Sequence, residues 1–548
     1  MQTSYSIRSS LVKREDPFPI DARFHRGLCS GEMHWEEPHM PPVLLNGEDL
    51  TLRDLERVAR HGETVAMDPA ARPKVTSARR VIEDGLAAGR PIYGVSTGFG
   101  PLSDVFVGAA DREALQRNLL RSHAMGVGDP IGEAETRATV LLRANVLAKG
   151  HSGVRPEIIV LLCELLNCGV HPIIPERGSV GASGDLAPLA HLALVLIGEG
   201  EARYRGDRLP GAEALRRAGL TPVTLAAKEG LALINGTCGM TGIGALALNR
   251  AERFIRLADV AGAMTLEALR GSQVPFDERL QAVRPHPGQA TSATNLRRLL
   301  RDSEVMVSHK DCGKIQDSYT LRCIPQVHGG VRDSLAFAHA TLTRELNAAT
   351  DNPLVFPTSG DILPGGNFHG HPVGLALDFV SVALAGLCGF AERRIERLVN
   401  PQLSELPPFL VKASGLHSGF MVAQISAASL VSETKLLASP ATVDSIPTSG
   451  SKEDFVSMGW LAAIKAAQIV DRLAAILTLE FLCAAQGLDF LLPLKPGRGV
   501  LVAHDLLRRH VAHLEQDRVL RQDFDRVLPL LEDGSLLAAV EAAVGPLD

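Results

Sequence analysis

Aromatic side chains are scarce in this chain, at 4% of 548 residues with two tryptophans and four tyrosines. Cysteine is sparse too. Eight are spread over the whole length with no CxxC pair, too few and too scattered for a disulfide-built fold or a zinc ribbon, so reduced thiols and a cytoplasmic setting are expected. No sign of charge dominates: Lys+Arg 56 against Asp+Glu 62 gives a net charge of −6, a poor match to nucleic acid or an anionic membrane surface. Long apolar runs are also missing. The longest uncharged stretch, Gly230 to Asn249, holds five glycines and several polar residues, whereas a membrane span needs about 20 predominantly apolar ones. Residues 1–24 carry acids and no apolar stretch, unlike a secretory signal.

What is present is 45% hydrophobic residues at a length of several typical domains, enough for a large core and more than one folding unit. Residues 1–40 show no helical period and read as an extension, loosely held or packed on a neighbour. From Val43 onward helices dominate. TRATVLLRANVLAKG (136–150) and IIVLLCELLNCGV (158–170) are helical patterns stopped by glycine. After about residue 225 the helices become long and apolar on most sides. In 458–484 the polar Lys465, Gln468 and Arg472 keep a 3–4 residue spacing on one narrow stripe, and 373–399 and 418–438 look alike. Helices apolar on most faces are buried among other helices. The expected fold is mainly α, with a 41–225 N-terminal domain and a 226–548 helical bundle.

Glycine-rich pieces interrupt this architecture, and a bundle has no use for them. The most informative is GSVGASGDLAPLAH (178–191). If the chain bends tightly at Ala182-Ser183-Gly184, the Gly184 nitrogen reaches the Ala182 carbonyl. Loss of one water closes a five-membered ring, and loss of the Ser183 hydroxyl as a second water leaves an exocyclic methylidene. The product, 4-methylidene-imidazol-5-one, is an electrophile made from the backbone. The plainer alternative is a turn, with Asp185 capping the helix that begins near Leu186.

The string GASGDLAPLAH resembles the signature of the aromatic amino acid ammonia-lyases and aminomutases. The resemblance continues in order through YGVSTGFG (93–100), SHAMGVG (122–128), INGT (234–237), QDSYTLRCIPQ (316–326), ELNAATDNP (345–353), GGNFHG (365–370) and DSIPTSGSKEDFVSMG (444–459). It implies a fumarase/aspartase-like helical architecture with an N-terminal domain that bears the prosthetic group. It also implies a homotetramer whose active sites are each built from three subunits, with no metal or nucleotide. It assigns Ala182, Ser183 and Gly184 to the methylidene-imidazolone and Tyr93 to the base that takes the β-proton. Arg322 becomes the carboxylate clamp, for which a planar guanidinium is suited. Gln316, Tyr319 and Asn235 form the polar shell, and Phe368 presses on the ring of the group.

Substrate choice falls on two places. Ser122-His123 and Glu453 resemble histidine lyases, where phenylalanine and tyrosine lyases carry Phe-Leu or His-Leu and a glutamine. An imidazole brings an N–H donor that a carboxylate and a histidine can hold. Histidine to urocanate is therefore the favoured reaction. The chain departs from histidine lyases at Ser451-Lys452, Phe455, Ile324 and His371, and Lys452 could pair with Glu453. A 2,3-aminomutase or a tyrosine or phenylalanine lyase stays open. Gly242-Ile243-Gly244 has the outline of a dinucleotide loop without a preceding strand, and His369-Gly370-His371 has no third ligand at metal spacing. A non-catalytic scaffold would have lost Ala182-Ser183-Gly184 or Tyr93; both are intact.

Overall fold

The computed structural model describes residues 41–311 and 313–548. The 1–40 extension, with Cys29, lies outside the described residues, as does Cys312. Helices carry the architecture. Seven position the candidate site: α1 (Glu133–Ala148), α2 (Leu186–Leu196), α3 (Cys238–Ala268), α4 (Ile324–Leu346), α5 (His371–Val399), α6 (Met421–Leu437) and α7 (Gly459–Asp489). Strands among the described residues are three or four residues long and form small sheets. One is antiparallel, built from Val170–Pro172, Glu201–Tyr204 and Asp207–Pro210.

Packing is most extensive where α7 lies against α5 and α3, with α4 and α1 adding further sides. The reason is legible in α3, which is buried almost all round and lined with small residues. A Cβ at Gly239 would come 2.4 Å from the Trp460 ring, and one at Gly244 would come 2.6 Å from Leu377. Gly242 and Gly244, which mimic a dinucleotide loop, therefore sit inside a helix where they face α1 and α5, while Gly239 lets α7 approach; larger side chains would overpack the contact.

Helix α5 is long and apolar enough by composition to cross a membrane, yet over half of that stretch is buried inside the bundle. Its Arg394, fully buried, makes a two-point ion pair with Glu480 of α7 at 2.6 and 2.8 Å. His328 of α4 joins Arg394 at 3.2 Å and Asp259 of α3 at 2.7 Å, and Arg332 reaches the same aspartate at 2.6 Å. Four helices are thus tied by one buried charge network. Burial pushes the Asp259 carboxyl up, but Arg332 and His328 outweigh it and hold it below the usual range.

Candidate functional site

The 178–185 loop precedes α2 and is compressed. Ser183 has φ 51° and Gly184 φ 81°, both left-handed, a region glycine enters without penalty. A Cβ at Gly184 would lie 2.0 Å from the carbonyl oxygen of Gly236. Gly184 pairs there with Gly236 in an isolated bridge: Gly236 N–H donates to the Ser183 carbonyl at 3.1 Å, and Asp185 N–H donates to the Gly236 carbonyl at 2.8 Å. Gly184 N–H points back to the Gly181 carbonyl at 3.3 Å, and the Ser179 hydroxyl donates to the Gly184 carbonyl at 3.3 Å. The loop thus has the tight bend that closure between Gly184 and Ala182 requires, and the residues present fit the proposed group.

Asp185 does not follow the plainer alternative of a capped turn. Its side chain does not cap α2. Its Oδ2 instead accepts from Gly239 and Met240 N–H, at 2.8 and 2.9 Å, at the start of α3. There it is fully buried, and desolvation pushes its carboxyl up to about 7. A single residue therefore joins the loop to the N-terminus of the central helix.

Around this loop the structure gathers several of the expected residues. The Ser183 hydroxyl donates to Glu453 Oε1 at 3.3 Å, while Oε2 accepts from Thr448 and Ser449, each at 2.7 Å. The carboxylate is bound by hydroxyls, and its recorded partners do not include the Lys452 ammonium. His123 Nδ1 lies 2.9 Å from the Leu119 carbonyl and 3.0 Å from the Ser122 hydroxyl. A carbonyl only accepts, so Nδ1 carries the proton and Nε2 is the acceptor. Burial lowers the His123 pKa, with the Glu453 charge pulling the other way. Tyr93 is half-buried, and its hydroxyl accepts from Gly100 N–H at 3.0 Å. The 100–102 turn meets the 449–451 turn beside Glu453. Half-buried Phe368 precedes His369, whose ring stacks on Phe455 at 6.0 Å between centroids. Asn235 is buried next to the Gly236 bridge.

Gln316, Tyr319 and Arg322 are elsewhere. Asp317, next to Gln316, accepts from Ser272 N–H at 2.6 Å, beyond the far end of α3. The helix has 31 residues, so these groups lie on the order of 40 Å from Ser183 within one chain. Tyr319 is 69% exposed, Arg322 stands over its ring at 4.7 Å, and the Arg322 Nε is buried without a partner. Sequence reasoning also passed over three buried charges behind Asn235, namely Arg143, Lys228 and Asp351. Their only signal was charge inside otherwise apolar or motif-bearing stretches.

A helical bundle of this topology around a compressed Ala-Ser-Gly loop defines a class, and the comparisons agree. The profile of the family described as aromatic amino acid lyase matches residues 50–509, and the chain belongs to that family. It is 56% identical over 514 residues to a histidine ammonia-lyase of Sorangium cellulosum, covering 92% of this chain and 100% of that protein. Among solved structures it resembles histidine ammonia-lyase from Trypanosoma cruzi, with 43% identity, TM-score 0.86, and 92% and 96% of the two chains covered. It also resembles the tyrosine aminomutase of Streptomyces globisporus, with 41% identity, TM-score 0.88, and 93% and 100% covered.

Proposed function

We propose that this protein is a histidine ammonia-lyase that converts L-histidine to urocanate and ammonia, using a methylidene-imidazolone formed from Ala182-Ser183-Gly184. The observation that carries the substrate choice is Glu453, whose carboxylate accepts from the Ser183 hydroxyl that leaves as the group forms, so that it faces the group, and which is in electrostatic reach of His123. An apolar ring against it would leave a half-buried acid without its natural partner. An imidazole N–H instead meets two acceptors, Glu453 and His123 Nε2.

When formed, the group supplies an electrophile that makes the substrate amine a leaving group. The chain's own residues do the remainder. Arg322 fixes the substrate carboxylate, with Gln316 and Tyr319 beside it. Tyr93 takes the β-proton as general base. Asn235 accepts from the amine, and Phe368 packs on the ring. Residues 41–225 bear the triad and 226–548 form the bundle.

The distance between Ser183 and Arg322 within one chain supports a composite site in a homotetramer. So does an unpartnered apolar surface on the bundle: Phe337, Phe379, Val382, Val422 and Ile425 are all more than half exposed. We place the enzyme in the cytoplasm, in line with the free thiols of Cys163, Cys238, Cys323, Cys388 and Cys483.

The test is incubation with L-histidine, L-tyrosine and L-phenylalanine separately, alongside the intact mass of the chain. Urocanate from histidine alone and a deficit of two water molecules are expected. A β-amino acid of unchanged mass would instead make the protein an aminomutase, and a chain of full mass would refute the prosthetic group.

A further inference from the structure

Asn235 is held by buried charge on two sides. Its main-chain carbonyl accepts from Arg143 Nη1, and Arg143 is itself fully buried. Its side-chain Nδ2 donates to the Asn352 carbonyl at 2.9 Å and to Asp351 Oδ1 at 3.4 Å. Both partners are acceptors, so only the NH2 edge of the amide can face them. Asp351 is in turn locked. Its Oδ2 accepts from Lys228 Nζ at 2.7 Å and its Oδ1 from Asn352 N–H at 2.6 Å. Lys228 and Asp351 are 0% and 1% exposed.

Among the described residues this chain of bonds leaves Arg143 Nε and Nη2 and one acceptor, on the amide itself, without a partner. Asn235 Oδ1 is buried and makes no hydrogen bond, although the residue is 2% exposed. A buried polar atom left unmade is costly, and such exceptions mark places where a further donor belongs. An amide with its nitrogen edge bound to Asp351 and Asn352 turns its oxygen edge the other way.

We infer that the Lys228–Asp351 ion pair is a positioning unit for the reaction, which fixes the Asn235 amide with its oxygen presented to the ammonium of the amino acid substrate. The inference rests on the reading of Asn235 as part of the amino acid site. Without the pair, the amide can turn over and put N–H against N–H. Lys228 Nζ holds Asp351 Oδ2, which leaves Oδ1 turned to accept from Asn352 N–H and the Asn235 amide.

The experiment uses the full-length enzyme and L-histidine. Lys228→Met with Asp351→Asn removes the pair without leaving a buried charge, and an amide at 351 can accept or donate. The double variant is expected to keep its assembled size and its two-water mass deficit and to lose at least about ten-fold in kcat/KM. Adding Asn235→Asp places an oxygen on both edges, so an oxygen faces the substrate in either orientation although the donor to the Asn352 carbonyl is lost, and the triple variant is expected to recover at least about three-fold over the double. A purely structural pair predicts no such recovery. A double variant within about two-fold of the wild type, or a triple that regains nothing, overturns the inference. Should the double fail to fold, Asp351→Asn with and without Asn235→Asp gives the same comparison. Failure of all of them to fold also overturns it, because the pair would then hold the fold and not an amide. Wild-type chain that neither shows the mass deficit nor consumes histidine refutes the underlying reading instead.

Discussion

In the proposed function, Glu453 is the residue that selects the substrate. Its two oxygens are shared between Ser183 on one side and Thr448 and Ser449 on the other, so its position is set by hydroxyl groups. Glu453→Gln keeps the shape but replaces one acceptor oxygen with a donating NH2 and removes the carboxylate. We expect kcat/KM for histidine to fall by about 10- to 100-fold, with the mass deficit and the fold unchanged. Steady-state kinetics on the purified variant checks this. Unaltered histidine turnover would detach the carboxylate from substrate recognition. The identities of Ser183, Glu453 and His123 are legible in their motifs. That Asp185 caps α3 and not its own helix is not, because the partner N–H groups are 54 and 55 residues away.

At the scale of the helices, the buried Arg394–Glu480 pair is the joint between α5 and α7. Arg394→Leu leaves Glu480 without its cation in a dry interior and should cost about 3–5 kcal/mol. The double replacement Arg394→Leu with Glu480→Leu should regain most of that loss, measured by urea unfolding of all three proteins. A second joint responds to pH. Glu267, near the C-terminal end of α3, accepts from Ser303 and from Gly497 N–H, and burial raises its carboxyl to about 7. An unfolded glutamate titrates near about 4.3, so between these values the folded protein holds a proton that the unfolded chain has lost. Stability from this group therefore declines as pH rises from about 4 to 7 and levels off above. Glu267→Gln should show a smaller drop in urea midpoint between pH 5 and pH 7 than the wild type. The long apolar helices were readable from composition and period. The ion pairs inside them were not, because a charged residue in an apolar helix looks the same in sequence whether its partner is water or a buried acid.

For the whole molecule, the separation of Ser183 from Arg322 along the 31-residue α3 makes a prediction that no single chain can meet. Ser183→Ala and Arg322→Met should each be inactive alone. Coexpressed, they should regain a measurable fraction of wild-type activity in mixed tetramers, because some composite sites then receive an intact residue from each chain. Activity assays of the copurified, differently tagged chains decide it; no recovery would place both groups in one chain's site.

The sequence alone determined the chemistry available and the kind of scaffold. Ala182-Ser183-Gly184 can cyclise because of its residue types, and helices made of alanine, leucine and glycine on most faces must bury each other. Order along the chain also carried the family, since motifs are local strings. Only the tertiary structure decided which of those strings meet. Contacts between residues more than a hundred positions apart, such as Ser183 with Glu453 or Lys228 with Asp351, follow from helix packing and loop closure. The same packing left Asn235 Oδ1 without a partner and sent Arg322 to the opposite end of the bundle. A site assembled across distance is a property of how helices of fixed rise and length stack, which no residue encodes by itself.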